Sequence, residues 1–147
     1  MVLIVSIQSN VSYAHVQEVM RLLPDAIAET GGGKPNYLLA AHGLTSAITG
    51  AAPYRFFCVT QVDECLVGFL AGLLESDAFT DRRTAREVFA YVRPSARVTD
   101  ARAAMRAAFE AWAWEQRASR VQCVGDEVAI PGYVRAGTLW TKEADNG

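Results

Sequence analysis

The stretch 91–116, YVRPSARVTDARAAMRAAFEAWAWEQ, decides how the rest of the chain is read. With the residues just before it, Ala85 to Val92 has the β-branched and aromatic content of a strand. Pro94 breaks the strand, and a helix is expected from Ala101 to about Ser119. Ala101, Met105, Ala108, Phe109, Trp112 and Gln116 recur at spacings of three and four, giving that helix one buried stripe. Its many alanines permit close packing on a sheet. Trp114 lies off the stripe and is expected against another element. A strand–loop–helix junction can receive an anion, because the first N–H groups of the helix are unsatisfied and its dipole is positive there. Glycines commonly line such a loop, for close approach and positive φ. Here Val98, Asp100 and Arg102 stand in those places, and Asp100 reads as a side-chain N-cap. Whether the amides stay open to an anion is the question the sequence poses.

Working outward, Val2 to Ile7 reads as a first strand, without the basic region or cleavage site of a signal peptide. Asn10 or Ser12 offers the N-cap of a helix with apolar Val16, Val19, Met20, Leu23 and Ile27; Pro24 is expected to kink or shorten it. Gly31 to Pro35 reads as a loop, Tyr37 to Ile48 as a second helix. Arg55 to Val62 and Cys65 to Leu74 read as strands joined by a turn at Asp63-Glu64, with Gly68 and Gly72 marking a bulge or a close backbone approach. Glu75 to Arg83 reads as a loop. Val121 to Val124 and Tyr133 to Thr141 read as closing strands before a frayed tail. The expectation is one α/β (α+β) domain over residues 1–147. Its mixed, mostly antiparallel sheet is flanked by helices in the order β-α-α-β-β-β-α-β-β.

Composition narrows the function classes. A chain of 147 residues, 51% hydrophobic, can bury a full core without metal or disulfide staples. Cys58, Cys65 and Cys123 show no CxxC spacing, which speaks against a zinc knuckle or an oxidised framework and suits a reducing cytoplasm. His15 and His42 have no ligand-spaced partners, so no metal is expected. Ser46 and Ser95 lack the context of a nucleophile elbow. No segment approaches the ~20 apolar residues of a membrane span. Net charge is −2, yet Arg82, Arg83, Arg86, Arg93, Arg97, Arg102 and Arg106 gather in the second half. That concentration suits an anionic ligand; nucleic acid is a weaker reading, because overall charge is negative and only Phe89 and Tyr91 interleave.

LVGFLAG, VFAYVRP, SARVTDARAAMRAAFEAWA and PGYVRAGTLWTKE together resemble the GNAT acyltransferase superfamily, nearest in form to its short phage-type members. The likeness covers about half the chain. It implies acetyl transfer from acetyl-CoA to a primary amine by direct attack, with the acceptor unidentified. It also implies that backbone at Tyr91 and Val92 pairs with pantetheine, and that Arg97, Val98, Thr99, Asp100, Ala101 and Arg102 cradle the pyrophosphate. Arg97 matches the arginine of the family's R-G-x-G-x-G/A loop, whose glycines are the positions replaced here. An Asp100 carboxylate ~4 Å from a phosphate would oppose it by roughly 4 kcal/mol, unless Arg97 or Arg102 offsets it. The family's usual helix before the closing strands has no room in VGDEVAIPGY, and Tyr133 takes a phenylalanine position where core packing is expected. Glu87 is the candidate base, expected on one strand face with Phe89 and Tyr91; Glu75 and Asp77 are rivals. The alternative is a GNAT-fold binding module for a protein or nucleic acid, such as a phage accessory protein. Self-association is open in either case.

Overall fold

In the computed structural model, which describes residues 1–30, 33–123, 130–135, 142 and 144, β1 (Leu3–Ile7) leads through a short turn to Ser12. The Ser12 hydroxyl accepts the His15 amide, and His15 Nδ1 accepts the Ser12 amide. This reciprocal cap starts α1 (Tyr13–Thr30). The helix runs through Pro24, so the expected shortening does not occur; tertiary burial of Val19, Leu22 and Ala26 holds the turns around it. Asn36 caps α2 (Tyr37–Ile48) by accepting the Leu39 amide at 3.0 Å.

β2 (Arg55–Val62), β3 (Cys65–Ser76) and β4 (Arg83–Val92) form an antiparallel meander with β1 on its outer side. β3 and β4 thus extend into the expected Glu75–Arg83 loop, with Glu75 paired to Thr84 and Ser76 to Arg83. After β4, a single turn at Pro94–Ala96 leads to α3 (Ala101–Glu115), which returns the chain to β5 (Arg120–Gln122), parallel to β4. The helix ends four residues earlier than its pattern suggests, because Arg117 adopts φ 61° and the Ser119 amide turns to the Arg83 carbonyl at 2.9 Å. The described sheet is β1-β2-β3-β4-β5, and the described order is β-α-α-β-β-β-α-β. Val124 and residues 136–141, where the end of the fifth strand and most of a sixth were expected, lie outside the described residues; Tyr133 to Arg135 are not in a strand.

α3 covers one sheet face and α1 with α2 the other. Under α3, Phe109 lies 5.4 Å from Phe56 and 5.8 Å from Trp112, ring centre to ring centre. Gly72 makes this possible, since a Cβ there would enter the Phe109 ring. At Gly68 a Cβ would lie 2.6 Å from the Tyr91 carbonyl oxygen. Gly68 is thus a close backbone approach and Gly72 lies at a bulge, the two alternatives expected of them. Trp114 is half exposed rather than packed on another element.

One irregularity sets up the site. Ala71 pairs with Phe89 and Gly72 with Glu87, so Val88 is an extra residue on β4. The bulge shifts the alternation of side chains. Ala85 lies in the core under α3, as do Ala90 and Val92, whereas Phe89 and Tyr91 lie on the α1–α2 face.

Candidate active site: the parting of β4 and β5

Pairing of β4 with β5 covers Thr84, Ala85 and Arg86 against Arg120, Val121 and Gln122. From Glu87 to Val92 no described strand lies on the outer side of β4. The Arg93 amide donates to the Val67 carbonyl at 2.8 Å. By the two-residue alternation of an antiparallel ladder, Tyr91 turns its polar backbone inward and Ala90 and Val92 turn theirs to the open edge. The first turn of α3 stands at the loop end of that edge. Among the described residues, strand edge and helix start flank a wedge with Glu87 and Cys123 at its apex.

The start of α3 departs from the sequence expectation. Asp100 sits at φ −83°, ψ 14° and its carboxylate makes no capping hydrogen bond. Thr99 supplies the local contact: its hydroxyl accepts the Ala101 amide at 3.3 Å and donates to the Ala96 carbonyl. The Asp100 dihedrals explain this, since a capping side chain needs extended backbone to swing over the first turn. Val98 is 95% exposed, so its bulk points to solvent and does not fill the loop. Arg97 is engaged elsewhere. Its guanidinium pairs with Glu29 in the last turn of α1, its Nε donates to the Val92 carbonyl at 3.0 Å, and it lies 5.9 Å from the centre of the Tyr91 ring. The hydrogen bond from Arg97 to Glu29 raises the arginine's pKa above its already high ordinary value. Burial, first, and nearby Glu29 and Asp25 raise that of Tyr91.

At the apex, Glu87 is 4% exposed and pairs with Arg102 from the first turn of α3. It faces α3, not the face of Phe89 and Tyr91 as simple alternation implies, because the Val88 bulge intervenes. Among the described residues Glu87 Oε2 has no hydrogen-bond partner. Cys123, the residue after β5, stands close by. Burial raises its thiol pKa most; the Tyr133 hydroxyl and Arg106 pull it down, and the Glu87 charge pushes it up. The thiol donates to Tyr133 Oη at 3.7 Å. Burial and the contacts with Cys123 and Glu110 raise the pKa of Tyr133, so its hydroxyl keeps its proton. A cavity of about 190 Å³ lies alongside, between Arg106 and Glu110 of α3 and Pro131 and Tyr133; neither Glu87 nor Cys123 lines it.

The structure therefore gathers Glu87, Arg102, Arg106, Cys123 and Tyr133 at the apex, and Val92 and Val98 to Ala101 along the mouth; Tyr91, whose backbone faces β3 and so is not placed to pair with pantetheine, and Arg97, whose guanidinium pairs with Glu29, turn away from it. The rivals fall away from it: Glu75 pairs with Arg86 on the surface, and the Asp77 carboxylate accepts the Phe79 amide within its own loop. Sequence reasoning missed Arg106, Cys123 and the polar contact of Tyr133. The one available signal was Arg106 standing four residues after Arg102, on the same side of a helix.

A mostly antiparallel sheet that opens between its fourth and fifth strands at a helix start defines the GNAT acetyltransferase fold. The chain has that fold. Over 98% of its length it superimposes on all of a GNAT family acetyltransferase from Staphylococcus aureus, with a TM-score of 0.71 and 12% identity. Over 97% it superimposes on 99% of a ribosomal-protein-alanine N-acetyltransferase from Brucella melitensis, with a TM-score of 0.71 and 16% identity. AAC(6')-Iy, in complex with the bisubstrate analogue CoA-S-monomethyl-acetylneamine, matches 98% of this chain over 99% of its own, with a TM-score of 0.75 and 12% identity. At these identities the likeness is one of fold. No protein-family model matches the sequence, and no curated protein matches it.

Proposed function

We propose that the chain is an N-acetyltransferase that uses acetyl-CoA and a primary amine. The observation that carries this reading is that, among the described residues, no strand pairs with the outer edge of β4 beyond Arg86, beside an α3 start where the Asp100 carboxylate makes no capping hydrogen bond. The residues fit a CoA donor, and the replaced glycines do not argue against it. Val98 projects outward, and backbone donors survive any substitution but proline. The amides of Val98 and Asp100 and the dipole of α3 would hold the pyrophosphate, and the outward backbone of Ala90 with the Val92 amide the pantetheine; the Thr99 and Ala101 amides and the Val92 carbonyl already have partners within the chain. When bound, the donor supplies an activated acetyl thioester.

The chain's own residues supply the rest. Glu87 Oε2 offers an acceptor for the amine's proton, directly or through one water. Arg102 and the packing of α3 hold that carboxylate at the apex. Tyr133 and Cys123 keep their protons beside it, where a departing thiolate needs one. Direct attack needs no nucleophile from the protein, so positioning and proton acceptance are its contribution.

The second reading, a GNAT-fold binding module, draws on the pairing of Arg97 with Glu29 and of Arg102 with Glu87, which leaves both cations committed within the chain. Isothermal titration with acetyl-CoA separates the two. Saturable binding at micromolar ligand supports the transferase; no heat at millimolar ligand removes it.

A further inference from the structure

A cavity of about 270 Å³ lies on the sheet face opposite α3, roofed by α1 and α2. This size is near the lower end of the roughly 300–1,000 Å³ typical of ligand pockets. Its walls are almost wholly apolar, among them Leu23, Leu44, Phe57, Phe69 and Val88. The exception is Arg55, at the start of β2. The Arg55 guanidinium is tucked under α2, where Nη1 lies 3.2 Å from the place a Gly43 Cβ would take. It also lies 5.7 Å from the centre of the Tyr54 ring. Among the described residues no carboxylate pairs with it, although four other arginines in the chain have one. A half-buried guanidinium at the wall of an apolar cavity, with no carboxylate on it among the described residues, favours an anion there, and a carboxylate suits its planar fork.

The far wall of the cavity is the bulge itself. Val88 lines it, and Glu87, one residue earlier, is the proposed proton acceptor on the other face of the sheet. Arg55 pairs with Leu73 and Leu73 with Arg86, so Arg55 stands two strands from β4. At about 4.8 Å per strand Arg86 stands roughly 10 Å away, and Val88, two residues further along β4, roughly 12 Å. This inference rests on the transferase reading above. We infer that the acceptor is a slim amine whose apolar spacer ends in a carboxylate, with the carboxylate on Arg55 and the amine at the Val88 bulge. An α-amino carboxylate is too short for both contacts. A spacer of roughly six to eight carbons spans them.

The test is titration of ω-amino carboxylates of four to ten carbons, and of alkylamines of matching length, into the protein alone. The expected result is an affinity optimum at six to eight carbons, with the carboxylate compound bound roughly tenfold or more tighter than its alkylamine. Arg55→Gln should abolish that preference and leave the alkylamine affinity unchanged. Gly43→Ala, which crowds the guanidinium but keeps its charge, should weaken it. Equal binding of the two series, or a preference that survives Arg55→Gln in a folded protein, overturns the inference. Because acetyl-CoA is absent, failure here leaves the donor titration untouched. Conversely, chain-length-dependent binding with no acetyl-CoA affinity would remove the transferase and keep the site.

Discussion

Replacing Arg102 with methionine isolates the interaction that positions Glu87. The side chains of Glu87 and Arg102 are 3% and 25% exposed, so their pair is largely withdrawn from water. Arg102→Met keeps the volume and leaves a buried carboxylate without its cation, a change that typically costs about 3–5 kcal/mol. Glu87→Gln is milder, because Arg102 retains access to solvent; a lost charge-assisted hydrogen bond suggests about 1–3 kcal/mol. The double variant buries no unpaired charge and should lie within about 1 kcal/mol of the parent. The coupling across the cycle is then about 3–7 kcal/mol in size, a large share of the ~5–15 kcal/mol stability of a domain. Urea unfolding at pH 7 reads all four proteins, with unchanged slopes showing that only stability has moved. An Arg102→Met protein as stable as the parent, or two single effects that simply add, would refute the claim that the α3 arginine holds the apex together.

Three further outcomes follow from the geometry. Gly68→Ala should destabilise by about 1–3 kcal/mol in the same urea assay, because its Cβ would meet a backbone oxygen that cannot rotate away; a neutral result would contradict the strand spacing. Asp100→Ala should cost under about 0.5 kcal/mol, below the roughly 0.5–2 kcal/mol of a true cap, while Thr99→Ala costs more; thermal melts with the opposite ranking would reinstate Asp100 as the cap. Burial pushes the Cys58 thiol from 9.0 up to about 12. The unfolded thiol ionises near 9.0 and the native one resists, so the contribution is fully present below pH 9 and declines above it. The limiting slope is about 1.4 kcal/mol per pH unit. Urea midpoints from pH 8 to 11 should fall less steeply for Cys58→Ala than for the parent, and parallel profiles would contradict the burial.

The sequence announces the sheet well where side chains keep one period. β1, β2 and α2 fall within a residue of their expected places, and the α3 stripe of Ala101, Met105, Phe109 and Trp112 is buried as its spacing implies. It fails where a local geometric event resets the period. Nothing in REVFAY marks Val88 as the extra residue, yet that one insertion moves Glu87 to the opposite face from Phe89. The cap was misassigned for a related reason: Asp100 has the right chemistry, but its backbone is turned so that Thr99 makes the contact. Buried Arg106 and the Cys123–Tyr133 contact depend on segments distant in sequence meeting beside β5, which no local pattern encodes. Pro24 inside α1 is the reverse case, a strong local signal overridden by packing.

The central claim is that the edge of β4 and the first turn of α3 together receive a CoA donor. Amide chemical-shift mapping with CoA tests it residue by residue. The account predicts saturable shifts at Ala90 and Val92 and from Val98 to Ala103, with β1 and β2 unmoved. Millimolar CoA that leaves those amides in place, or that moves a different surface, would contradict it.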